Sequence, residues 1–296
     1  MNTHSETFSD KVLGFTLPAR NARARVVRLD GVISDVLAAH DYPAPITHLL
    51  SEALVLAALM GGLLKGDDAQ LTMQAQTQTG VVSLLVCDFR AGEMRSYAKF
   101  DAEELDVLGA NPSLSAMFGD GYLAITFETG PGQRYQGIVP LEGETLADAC
   151  QAYFTQSEQI PTIIRVASHA GAKHHVAGGL LIQHFPDGEE GRERLHVRMD
   201  HPDWEHVSVM AGSISHKELL DPTLSMEGIA WRLFHEENEV RVQPGANLSR
   251  GCRCNQEYYE GVIKRFPAAE QADMRNEDGK IVVDCAFCAK AFELQI

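Results

Sequence analysis

The sequence is short of positive charge. Twenty-five lysines and arginines face 41 aspartates and glutamates, a formal charge of −16 over 296 residues. A surplus of that sign repels polyanions and leaves no chain-wide footprint for DNA or RNA, and none for an anionic membrane. The stretch from Met1 to Lys11 carries acids and hydroxyls but no basic segment ahead of an apolar one, so no signal peptide is expected and the cytoplasm is the expected compartment. The G-x-S-x-G elbow, the G-x-x-x-x-G-K-[ST] loop and G-x-G-x-x-G are all missing, which removes the usual signatures of hydrolases, nucleoside-triphosphate machines and dinucleotide enzymes. His235-Glu236-Glu237 begins like a zincin helix, but Glu239 stands where the second histidine belongs.

An uninterrupted membrane-length apolar run is missing too. Ile46 to Leu64 comes closest, and it contains His48, Ser51 and Glu52, so it reads as a buried core helix. Hydrophobic residues at 45% of the chain are ordinary for a globular fold of one large domain or two smaller ones.

Along the chain, Ala22 to Leu37 reads as a strand leading into a helix, with a break at His40-Asp41-Tyr42-Pro43. Pro43 and Pro45 fit the start of the core helix and Gly61-Gly62 its end. Leu71, Met73 and Ala75 alternate with Thr72, Gln74 and Gln76 as a strand, and Val81 to Val86 opens an antiparallel meander. Gly121 to Phe127 and Arg134 to Val139 form a hairpin around Gly130-Pro131-Gly132. Leu146 to Ser157 reads as a helix, and Ile163 to Val166 and Gly179 to Gln183 as strands. The mixture lacks a regular βαβ rhythm, so the expected class is α+β.

From Pro186 the charged, glycine-punctuated stretch Asp187 to Arg194 looks like a linker, followed by short helices at Ser215 to Leu220 and Ser225 to His235 and a turn at Pro244-Gly245. The expected organisation is an α+β core domain over 1–186, a linker with short helices over 187–247, and a small C-terminal zinc-binding domain over 248–296.

Four of the six cysteines fall in that last segment, as Cys252-Arg253-Cys254 and Cys285-Ala286-Phe287-Cys288. Two close pairs separated by a connector of about thirty residues supply the four ligands of a closed tetrahedral zinc site, one ion per chain, and Lys264, Arg265 and Lys290 are candidates to offset its charge. In the reducing cytosol, metal binding or redox chemistry outweighs a structural disulfide framework. The spacing leaves open whether the metal only holds the tail together or the thiols also switch. A segment this small needs a metal or disulfides to fold, so losing the ligands would unfold it. A disulfide within C-x-C closes a very small ring, and C-x-x-C is the spacing of redox-active dithiols. Cys87 and Cys150, each alone in an apolar setting, read as buried small hydrophobes, and His174-His175 and His201 to His206 as loop residues.

Several segments carry a family resemblance: His40-Asp41-Tyr42-Pro43, Gly121 to Thr126, Arg134 to Leu146, Ser157 to Thr162, Ala177 to Gln183 and Trp231 to Glu237, with the two cysteine pairs following in order. With these the chain resembles the 33 kDa chaperonin family, the redox-regulated heat-shock proteins of bacteria. The resemblance implies an ATP-independent holdase that is inactive when reduced and zinc-bound. On oxidation it implies disulfides pairing Cys252 with Cys254 and Cys285 with Cys288, zinc release, unfolding of the tail and linker, homodimer formation and binding of unfolding client proteins, with no nucleic acid or membrane partner. An alternative from a different class is a thiol-disulfide oxidoreductase using Cys285 and Cys288.

Overall fold

The computed structural model describes residues 10–66, 68–130, 132–171, 175–185, 200–294 and 296. The expected linker stretch Asp187 to Arg194, His174 and Pro131 lie outside the described residues.

The strands are β1 (Lys11–Leu17), β2 (Ala22–Leu29), β3 (Gln70–Gln76), β4 (Val82–Arg90), β5 (Glu93–Phe100), β6 (Tyr122–Gly130), β7 (Gln133–Pro140), β8 (Thr162–Ala170), β9 (His175–His184), β10 (Arg241–Asn247), β11 (Ser249–Arg250), β12 (Ile281–Asp284) and β13 (Ala291–Leu294). The helices are α1 (Gly31–Leu37), α2 (Ala44–Gly61), α3 (Ala102–Leu108), α4 (Leu114–Phe118), α5 (Leu146–Tyr153), α6 (Pro202–Gly212), α7 (His216–Leu219), α8 (Met226–Phe234), α9 (Gln256–Ile263) and α10 (Ala268–Asp273).

Two sheets sandwich the core helix. One runs β10-β1-β2-β9-β8, the other β11-β5-β4-β3-β6-β7, and β12-β13 form a separate hairpin. Helix α2 packs on β2, β8 and β9 of the first sheet and on β3, β4 and β5 of the second, which is why it is apolar all round. Its length and composition would suit a membrane span, yet 78% of it is buried inside the fold, as the polar residues within it suggested. Glu52 is tolerated there because its Oε1 accepts from the Ala147 N–H (3.0 Å), although burial still pushes its pKa up to about 7. At the helix end Gly61 presses flat on Phe89 of β4, where a Cβ would fall 2.3 Å from the ring.

The alternating strand β3 puts Leu71, Met73 and Ala75 into this core, and β3-β4-β5 form the expected meander. The expected helix from Leu146 ends at Tyr153 and runs on as a single wider turn, Phe154–Glu158. Outside the first sheet, α6, α7 and α8 bury Trp204, Val207, Leu219, Ile229 and Phe234 in a second apolar cluster. Arg28 of β2, almost wholly buried, ties this layer down by donating to the carbonyls of Glu218 (3.0 Å), Leu219 (3.0 Å) and Leu224.

Some elements differ from the sequence reading. Pro244-Gly245 is not a turn but lies in β10, the edge strand beside β1; a proline is admissible there because it need not donate, and the ladder shifts register between Lys11 and Leu13. Strand β1 and helix α6 lie where no element was expected. His201 accepts from the Asp203 N–H (3.2 Å) at the start of α6, and His206 sits on the helix, so neither is a simple loop residue.

Candidate metal centre

The chain reaches the cysteines by touching both sheets in succession. β10 adds to the edge of the first sheet, Leu248 enters the main core, and β11 pairs in parallel with Glu93 and Met94 at the edge of the second. Gly251 follows in close contact, since a Cβ there would lie 2.6 Å from the Glu93 Cβ. Cys252 and Cys254 then occupy the loop ahead of α9, whose N-cap Asn255 accepts from the Tyr258 N–H (2.7 Å) and so fixes where the loop ends.

The second pair sits in the β12–β13 turn. The Cys285 carbonyl accepts from Cys288 N–H (3.3 Å) and Ala289 N–H (2.8 Å), and Cys285 N–H donates to Lys290 (3.0 Å). Ala289 takes φ +56, which folds the turn back so that both thiols face the first pair. A small apolar cluster of Ile281, Phe292 and Leu294, with Tyr259 packed 5.2 Å from the Phe292 ring, supports the turn from below.

These two loops bring all four expected residues together. Their Sγ atoms lie within 4.8 Å of one another, with 3.4 Å from Cys252 to Cys254, 3.6 Å from Cys252 to Cys285 and 3.5 Å from Cys254 to Cys288. A tetrahedron of thiolates about 2.3 Å from a central zinc has sulfur–sulfur edges of about 3.8 Å, so the donor set fits a single ion with little movement. Among the described residues this is the only such group of metal-binding side chains.

Burial pushes the Cys285 thiol up, but donation from Tyr259 and from the Cys288 and Phe287 backbone N–H groups outweighs it and brings it down to about 6. Cys254 and Cys288 are pushed up, by burial first. Cys285 is only 2% exposed, so its easily formed thiolate points at the other three sulfurs and not at an incoming disulfide. The two remaining cysteines are buried as expected, Cys87 on β4 and Cys150 on α5, and burial raises both.

The charge around the site departs from expectation. Lys264 pairs with Glu260 (3.4 Å) and Lys290 lies 5.0 Å over the Phe292 ring. A cation does stand beside the cluster: Arg95 of β5, whose charged form the neighbouring Cys252 sulfur favours. Arg95 also pairs with Asp88 of β4 (2.6 Å) and stacks on Phe287 (4.0 Å to the ring centre). Arg253 reaches the same Asp88 oxygen (3.2 Å), Thr72 donates to the other (2.8 Å), and His40 Nε2 meets the Ala286 carbonyl (2.8 Å). The spacers of both cysteine pairs are thus bonded to the body. Sequence reading missed Arg95 and Asp88 because they lie more than 150 positions from the cysteines; the only signal was Asp88 directly after the apolar run Leu84 to Cys87.

Fold and thiol cluster together define a class: an α+β body bearing a small cysteine-rich module with the geometry to hold one metal ion. The family profile described as "Hsp33 protein" matches residues 10–295. A 33 kDa chaperonin of Caulobacter vibrioides is 39% identical over 295 residues, covering 96% of this chain and 94% of its own length. One from Escherichia coli is 32% identical over 271 residues, covering 91% and 87%. The solved 33 kDa chaperonin of Thermotoga maritima has the same fold, with a TM-score of 0.77 at 20% identity over 96% of this chain and 94% of that one. The chain belongs to the Hsp33 family, as the resemblance implied. That family is one of chaperones, so the protein falls outside the enzymes and the oxidoreductase alternative is set aside.

Proposed function

We propose that the protein is an ATP-independent holdase of the cytoplasm, switched on by thiol oxidation. In the resting state Cys252, Cys254, Cys285 and Cys288 hold one zinc ion, and residues 248–296 act as the switch, 187–247 as the linker and 1–186 as the body. The observation that carries this reading is the convergence of four thiols from two loops into one cluster that is also bonded to the body. Zinc in such a closed site supplies folding energy, about 10–16 kcal/mol in zinc-finger peptides, and no catalysis.

Oxidation acts on the protein's own sulfurs. In each pair two thiols form one S–S bond and give up two electrons and two protons, which reduce one peroxide to two waters. Pairing Cys252 with Cys254 and Cys285 with Cys288 uses every ligand, so the C-terminal segment loses the ion that folds it. The linker and tail then unfold, the chain dimerises, and the freed surface binds unfolding proteins. The charge of −16 favours protein clients over nucleic acid.

The test follows zinc release, free thiols and suppression of client aggregation together, before and after peroxide at raised temperature. The expected result is loss of one zinc and four thiols with simultaneous gain of suppression. If zinc stays bound and suppression does not change with oxidation, the metal is purely structural.

A further inference from the structure

The C-terminal segment covers a surface whose chemistry is legible from what now occupies it. Strand β11 stands where β5 would otherwise be the open edge of the second sheet. It pairs with only Glu93 and Met94 of the eight residues in β5, through Ser249 N–H to the Gly92 carbonyl (3.0 Å) and Gly251 N–H to the Met94 carbonyl (2.9 Å). Beside this edge the Phe287 ring fills a slot between the Arg95 guanidinium, 4.0 Å from its centre, and Tyr97, whose ring stands edge-on at 6.5 Å. His40 closes the slot, 5.7 Å from Tyr97, and continues into an aromatic row through Tyr42 (5.1 Å) and Phe100 (6.3 Å from Tyr42).

We propose that this surface is the docking site for an extended, aromatic-bearing segment of an unfolding client, and that β11 and Phe287 fill it in the resting state. The proposal rests on the holdase reading and adds to it where the client binds and what is recognised. Three features select that occupant. The edge offers backbone carbonyls, which any extended chain can meet with its N–H groups regardless of sequence. The slot offers a cation face and an aromatic edge, which suit an aromatic side chain above all others. His40 supplies a polar contact to the occupant's backbone, as it does now to Ala286. Folded proteins keep such segments inside, so the same chemistry separates unfolding from native partners.

The slot does not depend on the C-terminal segment for its shape. Asp88 holds Arg95 through Nε (2.7 Å) and Nη2 (2.6 Å), and Thr72 holds Asp88, all from the body. Departure of Arg253 and Cys252 therefore leaves the guanidinium presented for an incoming ring. A two-residue strand is also a weak occupant, readily displaced once its neighbouring cysteines cease to be fixed.

The experiment places a photo-reactive side chain at position 97, and at position 107 on α3 as a control, where Val107 is 86% exposed. Oxidised and reduced full-length protein are irradiated with a thermally unfolding model protein. Client crosslinks at 97 only in the oxidised form, few at 107, and competition by an extended phenylalanine-containing peptide but not by its alanine counterpart are expected. Tyr97→Ser, oxidised, should need about tenfold more protein for equal suppression. Suppression with no crosslinks at 97, or with equal crosslinks at 107, overturns this surface and leaves the switch standing. Oxidised wild-type protein that suppresses nothing overturns the holdase reading and this site with it.

Discussion

Arg253, the residue between the first two cysteines, donates to the same Asp88 carboxylate oxygen that holds Arg95, so one buried acid joins the thiol cluster to the body. Asp88→Asn removes the charge that both guanidinium groups share. Breaking a buried ion pair from one side costs about 3 kcal/mol or more. Denaturant unfolding of the reduced, zinc-loaded variant should register that loss, and peroxide should consume its four clustered thiols faster than in wild type. Unchanged stability and unchanged thiol kinetics would mean that the module is coupled to the body elsewhere.

The six thiols divide into two classes by place in the fold. Cys87 and Cys150 lie wholly inside the core with pKa values driven up by desolvation, whereas the other four surround a site at the surface of the fold. A thiol-reactive dye added to native protein with a zinc chelator should label four groups per chain, and six only in denaturant. Labelling of five or six in the native state would show that the core opens more readily than its packing implies.

Much of the fold was legible because its signals are local. The alternation of Leu71, Met73 and Ala75, the glycines between β6 and β7, and the all-round apolarity of α2 each dictate an element from within a few residues. The four thiols were legible for the same reason, since the C-x-C and C-x-x-C spacings are local. What stayed hidden depends on partners distant in sequence. β10 reads as a turn because Pro244-Gly245 has turn chemistry, and only pairing with β1, about 230 residues earlier, makes it a strand. Arg95 beside Cys252 is of the same kind, a neighbour created by the parallel pairing of β11 with β5.

Glu52 gives stability a pH dependence with a definite sign. Burial raises its folded-state pKa from 4.5 to about 7, so between those values the folded chain keeps a proton that the unfolded chain has lost. Unfolding then releases a proton, and stability falls as pH rises through this window, by up to about 3 kcal/mol, before levelling above pH 7. Glu52→Gln keeps an acceptor for the Ala147 N–H and removes the ionisation. The variant should be more stable than wild type at pH 8, with the difference vanishing near pH 4.5. An equal gain at both pH values would assign the effect to packing.

Cys285 carries the turn of the second pair and lies deepest of the four thiols. Cys285→Ser leaves three sulfurs and a poor oxygen donor for the metal. Zinc content of the purified, reduced variant should drop from about one per chain toward zero, and residues of the C-terminal segment should lose hydrogen-exchange protection. A variant that keeps full zinc stoichiometry would remove Cys285 from the ligand set.

Arg28 fixes the layer of α6, α7 and α8 on the first sheet from a position that is almost wholly buried. Its guanidinium gathers the carbonyls of Glu218, Leu219 and Leu224, the C-terminal end of α7 and the turn before α8, where the helix dipole also favours a cation. Arg28→Gln cannot reach three acceptors, so at least one buried carbonyl loses its donor, at about 1–3 kcal/mol for each group left unmade. That cost falls on the attachment of α6–α8, while α2 and its two sheets keep their own core. Residues 202–234 of the reduced variant should be cut by protease several-fold faster than in wild type, with zinc still at one per chain. If release of this layer contributes to activation, the reduced variant should also suppress client aggregation at milder heat than reduced wild type. Faster proteolysis without that gain would assign activation to the cysteine module alone.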